Sequence, residues 1–388
     1  MPVHSRRKPA AVLIGGCLLF LLLAGFLCLY SGAKVAPENF TLHLNELEKR
    51  YAPDKRLAIF EIEYTLNQGQ LRIWGKVSDE VVRRAVLNLG RRGAGIRRFS
   101  ENIVVLPVEG PDGVRQAVVA SAVLDVWPSP GQTGQRDRMT QALHGQLVTL
   151  LDQSGNWQRV RLPDGYIGWV DHSALVPLTG RQAAEWMGAG ISMVIKPAAQ
   201  VLSLPRSSAL VVRELPFGAL VKTGAGQQGF LRASTAQGQA GWIAASSLKV
   251  GRSLEELRQS REGFGVISQR ALAMQGVPYL WGGSSPEGYD CSGFIQAIMA
   301  SAGVALPRDT DLQYAVGVEI KSAAHLAPGD LVFFSTYRSG PSHVGLYLGE
   351  GRFIHCGDRG VAINSLIPGT PGYSAYLASR FIGGRRIP

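Results

Sequence analysis

The chain has 388 residues, 46% apolar and 18% charged, an ordinary folding composition that excludes a disordered or fibrous protein and leaves room for roughly two to four domains. A net charge of +11 favours an anionic partner. The arginines are densest over 81–100 but dispersed, with no aromatic-interleaved basic tract and no finger spacing, which argues against nucleic acid.

In chain order, Arg6, Arg7 and Lys8 precede an uncharged, mostly apolar run over 10–30. That is close to the ~20 residues a spanning helix needs, and the positive flank puts the N-terminus in the cytoplasm and the remainder outside. Segment 1–32 is therefore expected to be a cytoplasmic tip and membrane anchor through an N-terminal helix, with cleavage near Ser31 as the alternative. Cys17 and Cys28 fall inside it, which leaves Cys291 and Cys356, too few for a disulfide scaffold.

Residues 33–112 predict a small α/β unit. "PENFTLHLNELEKRYAP" has a helical pattern, "RLAIFEIEY" and "QLRIWGKV" alternate as strands, and "ENIVVLPVE" is a third strand. Between them "SDEVVRRAVLNLG" reads as a helix with Ser78 as N-cap and Gly90 at its end. Nothing in this unit suggests chemistry, and it reads as a spacer or packing domain. An internal repeat follows: 155–175 and 229–248 each end in Gly-Trp, a β-branched residue and a short Ser-Leu-containing tail, marked by Trp169 and Trp242. Short alternating strands with Gly and Pro turns predict two small β-barrels over 113–180 and 186–250, with "EWMGAG" as the linker. His144 and His172 have no partner at a telling spacing and read as surface residues. From 254 onward one or two helices lead to Pro278.

The stretch "GYDCSGF" carries the chemistry. Asp290 is placed to cap a helix that starts at Cys291, presents Phe294, Ile295 and Ile298 on one face and ends at Gly303. A thiol in the positive end of a helix is expected to have a lowered pKa. Further on, "SHVGLYLGEGRFIHC" predicts a hairpin with His343 and His355 on its two arms. A two-residue loop would put them on opposite faces. A three-residue loop, Gly349-Glu350-Gly351 with Gly351 left-handed, puts them on one face, offset diagonally. One thiol and two imidazoles then converge as nucleophile, base and orienter. A zinc site using Cys291, His343, His355 and Cys356 is disfavoured, because His355 and Cys356 are strand neighbours facing opposite ways. Three satisfied core residues are the bland alternative.

The segments "PYLWGGSSPEGYDCSGF", "LPRDT", "LAPGDLVFF" and "SHVGLYLGEGRFIHC", in this order over the C-terminal third, resemble the NlpC/P60 cysteine peptidases, which cleave bacterial cell-wall peptides. The resemblance implies an α+β, papain-like domain over 254–388, with Cys291 as nucleophile, His343 as base and His355 in the third polar position. It places Tyr279 near the oxyanion, Asp290 and Ser292 against a free substrate amine, and Arg308 against a substrate carboxylate. The "GWV" repeat resembles bacterial SH3-like domains, so the whole reads as multidomain: a small α/β N-terminal unit, two SH3-like β-barrels and the peptidase domain. In the subgroup with this order, the first SH3-like domain walls off part of the groove and supplies an acid and a tyrosine to the peptide's free N-terminus. Here those positions are Asp137, where relatives carry glutamate, and Tyr166.

The resemblance further implies hydrolysis of the γ-D-glutamyl–diamino acid bond in peptidoglycan stem peptides with a free L-Ala, at the cell envelope outside the cytoplasm. No cofactor or metal is expected, and the oligomeric state leaves no mark in the sequence. The competing readings are an amidase or acyltransferase on the same Cys-His-His frame, and a wall-binding protein with an idle site.

Overall fold

The computed structural model describes residues 35–108 and 113–388. The segment expected to span a membrane lies outside them, and among the described residues no helix is long and apolar enough to cross one. The chain divides into two compact units. One holds the described residues up to Asp54 together with Ala58–Val105; the other holds Lys55–Leu57 together with Leu106–Pro388.

In the first unit the alternation of "FEIEYTLN" gives strand Phe60–Asn67, whose inward residues Phe60, Ile62 and Tyr64 pack on the core. A tight turn with left-handed Gln68 and Gly69 returns the chain as Gln70–Val77. Helix Glu80–Arg91 then crosses over to strand Arg98–Val105, which pairs in parallel with Gln70–Val77. Helix Phe40–Tyr51 completes the unit, with Phe40, Leu44, Leu71, Ile73, Val82 and Val86 at its centre. The expected N-cap moves by one residue. Asp79 accepts from the Val82 amide at 3.0 Å, while the Ser78 hydroxyl faces the Ile59 amide and carbonyl. Gly90 is the last residue but one of the helix, at its end as expected.

The second unit opens with a five-stranded sheet in the order Leu175–Leu178, Gln116–Val119, Leu147–Ser154, Trp157–Arg161, Ile167–Asp171. Ribbon Val123–Val126/Thr140–Leu143 closes against it through reciprocal Trp127–Trp169 backbone bonds of 2.8 Å. Next comes a seven-stranded sheet in the order Val211–Pro216, Ala198–Leu202, Ala240–Ala244, Phe230–Ser234, Leu220–Gln227, Ile191–Val194, Leu248–Val250. The sequence repeat has a physical counterpart. Arg159 pairs across strands with Trp169 and Arg232 with Trp242, and each guanidinium lies over its indole, at 4.6 and 5.5 Å. Each tryptophan strand continues through a short 3₁₀ turn into a closing strand.

One expectation fails here and another is refined. The first half of the supposed linker, 185–187, is the end of helix Gly180–Met187, started by a Thr179/Gln182 capping box and anchored by a Trp186 Nε1–Gly145 carbonyl bond of 2.8 Å. His144 is fully buried, not a surface residue. Its Nδ1 donates to the Ala120 carbonyl at 2.9 Å and its Nε2 accepts from the Ala236 amide at 3.2 Å, so one imidazole bridges the two β segments. His172 is exposed as expected.

The C-terminal part begins with helices Leu254–Gln259 and Phe264–Leu272. Its sheet is antiparallel, in the order Val318–Ile320, Phe381–Arg386, Leu331–Phe334, His343–Gly349, Arg352–Gly357, Gly360–Ser365. Helix Cys291–Ser301 lies against it, burying Phe294, Ile295 and Ile298 among Leu331, Phe333, Val344, Leu346 and Ile354. Each such side chain contributes about 1.5–3 kcal/mol.

The hairpin reaches the expected face by a different route. Its loop has two residues, Glu350 at φ +55° and Gly351 at φ +77°, not three. A register shift between Tyr347 and Gly349, with Leu348 bulged, supplies the extra residue that restores the parity of the two arms. A Cβ on Gly351 would also lie 2.5 Å from Ile367. Gly351→Val is expected to destabilise by at least about 1–3 kcal/mol from backbone strain alone. Glu350→Asn, which tolerates the left-handed region, is expected to be neutral or to stabilise by up to about 1 kcal/mol. Thermal unfolding of both variants checks the pair; equal effects would contradict this turn geometry.

Candidate active site

Asp290 sits in extended backbone just before the helix and accepts from the Gly293 amide at 2.7 Å and the Gly282 amide at 3.1 Å. The same carboxylate takes a two-pronged ion pair from Arg308, with Nη2–Oδ2 at 2.6 Å and Nη1–Oδ1 at 3.0 Å. Arg308 is only 1% exposed, and its remaining donors go to Thr140 Oγ1 (2.7 Å), Ser292 Oγ (3.0 Å) and the Gly283 carbonyl (3.4 Å). That corrects the expectation that Arg308 meets a substrate carboxylate. Every donor is already used, and its place is behind Asp290 as counter-ion. Ser292 is likewise buried and tied to Arg308 and Asp290.

The cap therefore positions Cys291 at the first turn, 6% exposed, with Sγ 3.6 Å from Thr310 Oγ1 and within reach of the Val344 amide. Its pKa runs against the helix-dipole expectation. Burial, and then the neighbouring Asp290 carboxylate, push the thiol up to about 11, over the lowering effect of Thr310 and Val344. The resting sulfur is a thiol.

His343 and His355 are 8% and 6% exposed and share one face of the hairpin, with His343 Nε2 2.8 Å from His355 Nδ1. His355 Nε2 reaches Asn364 Oδ1 at 2.8 Å, on the next strand. The Asn364 amide nitrogen donates to the Gly372 carbonyl at 2.7 Å, which turns Oδ1 toward the imidazole. The proton order follows: His355 Nε2–H donates to Asn364, His343 Nε2–H donates to His355 Nδ1, and His343 Nδ1 keeps a lone pair. Burial, then His355, lowers His343 to about 3, and burial lowers His355 as well, so both rings are neutral. Cys356 faces away and donates to the Tyr289 carbonyl at 3.1 Å. Among the described residues no cluster of three His, Cys, Asp or Glu side chains is placed to hold a metal ion.

Cys291 opens into a pocket of about 270 Å³ whose walls include Tyr279, Trp281, Asp290 and Ser292. The first β segment adds Asp137 and Tyr166 to the same wall. Tyr166 is buried and donates to Asp309 Oδ2 at 3.0 Å. Arg138, the neighbour that might have paired with Asp137, is committed to Asp125 instead at 2.7 Å. Among the described residues, the Asp137 carboxylate has no ion-pair partner. Tyr279 is half-buried beside the thiol, and burial raises its hydroxyl pKa. Sequence reasoning missed Asn364, Thr310, Asp309 and Arg56. A lone Asn on a third strand, two residues beyond the Ala362 that pairs with His355, carries no local signal; only the sheet register brings it to His355.

A neutral thiol that opens into a concave pocket, with a base carrying an open lone pair and an orienting second imidazole on the sheet against which its helix packs, is the equipment of a cysteine hydrolase. The comparisons agree. The NlpC/P60 family model matches residues 276–381, and one described as a bacterial dipeptidyl-peptidase Sh3 domain matches 131–175. A γ-D-glutamyl-L-lysine dipeptidyl-peptidase of Bacillus cereus is 29% identical over 299 residues, 71% of this chain and 86% of its own. The probable peptidoglycan endopeptidase LytE of Bacillus subtilis is 41% identical over 117 residues, 30% of this chain and 32% of its own length. The crystal structure of an NlpC/P60 family protein from Bacillus cereus superposes with a TM-score of 0.60 at 26% identity, covering 70% of this chain and 99% of that one. The chain carries an NlpC/P60 peptidase domain preceded by an SH3-like domain.

Two outcomes are expected. Alkylation of Cys291 by iodoacetamide should accelerate with pH up to an inflection near 11, because the buried thiol ionises late. A plateau already reached below pH 7 would mean a preformed thiolate. Asn364→Ala should lower kcat about tenfold to a hundredfold with KM little changed, less than the ~10²–10⁴-fold a general base itself supplies. Steady-state kinetics checks it.

Proposed function

We propose that the chain is a cysteine endopeptidase that hydrolyses the γ-D-glutamyl–diamino acid bond of peptidoglycan stem peptides with a free N-terminal L-Ala. The observation that carries this is the pocket wall beside Cys291, where Asp137 offers an anion without an ion-pair partner among the described residues and Tyr166 a hydroxyl oxygen, as a terminal ammonium requires. The names of the two Bacillus relatives support it. In this reading 113–180 and 186–250 are both SH3-like barrels, 254–388 is the catalytic domain, and 33–112 is a separate α/β domain. Segment 1–32 tethers the enzyme at the membrane with its catalytic domain in the envelope.

The chemistry follows from the proton order. His343 Nδ1 takes the Cys291 proton as sulfur bonds to the γ-glutamyl carbonyl carbon, with Tyr279 beside the developing oxyanion. Collapse breaks the C–N bond, and His343 returns the proton to the departing amine. A water then gives its proton to His343 and attacks the thioester, and the C–S bond breaks. The thiol recovers its proton, and L-Ala-γ-D-Glu leaves. Asp290 and Ser292 line the same pocket, and with its oxygens bonded to Arg308, Gly282 and Gly293, Asp290 acts on the amine through its place in the wall, as Ser292 does, and not through a free lone pair.

The test compares kcat/KM on L-Ala-γ-D-Glu-diaminopimelate and its N-acetylated form, with intact sacculi as third substrate and products identified by mass spectrometry. Acetylation should cut kcat/KM tens- to thousands-fold, since it leaves a desolvated carboxylate without its charge partner. Cys291→Ala should unfold at the wild-type temperature and turn over nothing. Equal cleavage of both peptides, or of sacculi, would refute the free-amine reading.

A further inference from the structure

The α/β unit reads as a spacer, yet three residues between its halves, Lys55–Leu57, belong to the other unit. The Arg56 carbonyl accepts from the Ile167 amide at 2.7 Å, extending the edge of the five-stranded sheet. Its side chain lines the pocket that contains Cys291. Nη1 reaches Asp309 Oδ2 at 2.7 Å and Asp311 Oδ1 at 3.1 Å, and Nη2 reaches Asp311 Oδ2 at 2.8 Å. Both aspartates flank Thr310, whose hydroxyl touches the Cys291 sulfur.

The Asp309 oxygen that Arg56 holds is the one that accepts the Tyr166 hydroxyl. With its proton committed to Asp309, the Tyr166 oxygen has only lone pairs left for the pocket, which suits a cationic donor and not a neutral acceptor. We propose that Arg56 is a specificity-determining positioning residue: by holding Asp309 as an anion it fixes the direction of the Tyr166 hydroxyl, and so sets the subsite that distinguishes a free ammonium from a blocked one. This rests on the free-amine reading given above.

The groups around Asp309 make the role exacting. Burial raises its pKa most and Asp290 adds to that, while Arg308, Arg56 and the Tyr166 hydrogen bond favour its charge, and the net effect is a raised pKa. The Arg308 donors are already taken by Asp290, Thr140, Ser292 and Gly283, so among the described residues Arg56 is the cation in contact with the Asp309 carboxylate. Without it, Asp309 gains a proton as pH falls. Its own O–H then competes with that of Tyr166, and the phenol is free to turn its hydrogen into the pocket.

The experiment uses the full protein with Arg56→Ala and Arg56→Lys. For the free-amine tripeptide, Arg56→Ala should raise KM about tenfold with kcat held within about twofold, and should narrow the discrimination against the N-acetyl peptide by a similar factor. Its KM should rise as pH falls, as Asp309 gains a proton, where the wild type is flat. Arg56→Lys should recover most of the loss. A parallel titration calorimetry series on the Cys291→Ala background measures binding of L-Ala-γ-D-Glu and its N-acetyl form. If hydrolysis fails in the wild type but Arg56→Ala still weakens dipeptide binding selectively, the cleavage assignment falls and the role of Arg56 stands. Unchanged KM, binding and discrimination in Arg56→Ala would overturn the inference. So would a fall in kcat and melting temperature alone, which is what a merely structural arginine gives.

Discussion

The arrangement depends on one buried ion pair. Asp290 and Arg308 are withdrawn from water together, which is costly for both charges unless every donor and lone pair is answered. Here they are: the carboxylate caps the nucleophile's helix and ties down Gly282, while the guanidinium spends its other donors on Ser292, Gly283 and Thr140. Thr140 lies on a strand of the first β segment. A single pair thus fixes the start of the catalytic helix, the loop before it and the neighbouring domain's strand in one frame. The residues after Arg308 inherit that frame, and Asp309 and Thr310 reach Tyr166 and the thiol from it.

A second theme is the contrast between surface and pocket. The chain as a whole carries +11, which draws it toward polyanions. The pocket gathers Asp137, Asp290, Asp309 and Asp311, three of them answered by arginines and one, Asp137, without an ion-pair partner among the described residues. Long-range attraction and short-range selection are carried by opposite signs of charge.

Much of this was legible in the sequence where the signal is local. Asp290 before Cys291 and the apolar face of Phe294, Ile295 and Ile298 announce a capped helix, and the tryptophan repeat foretells two similar β segments. The shared face of His343 and His355 was also legible, although through a three-residue loop that the chain replaces with a two-residue turn and a bulge at Leu348. What stayed hidden depends on distance along the chain. Asn364 meets His355 only through sheet register, Arg56 meets Asp309 across 253 positions, and Arg308 looks like any solvent arginine until Asp290 is folded over it. The thiol pKa was misjudged for a related reason. A helix N-terminus is visible in sequence, whereas the depth at which it is buried is not.

The imidazole of His144 gives the junction between the two β segments an acid limit. It is neutral in place because burial lowers it to about 4, and its acceptor nitrogen faces the Ala236 amide. A proton there would set two donors against each other in the dry seam. Since the folded pKa lies below the unfolded value of about 6.5, the junction is whole above that pH and weakens as pH falls from there toward 4. At full protonation the loss is on the order of 3 kcal/mol. Acidification would protonate the imidazole that holds one β segment to the next before it reached the His343–His355 chain, whose base is lowered to about 3.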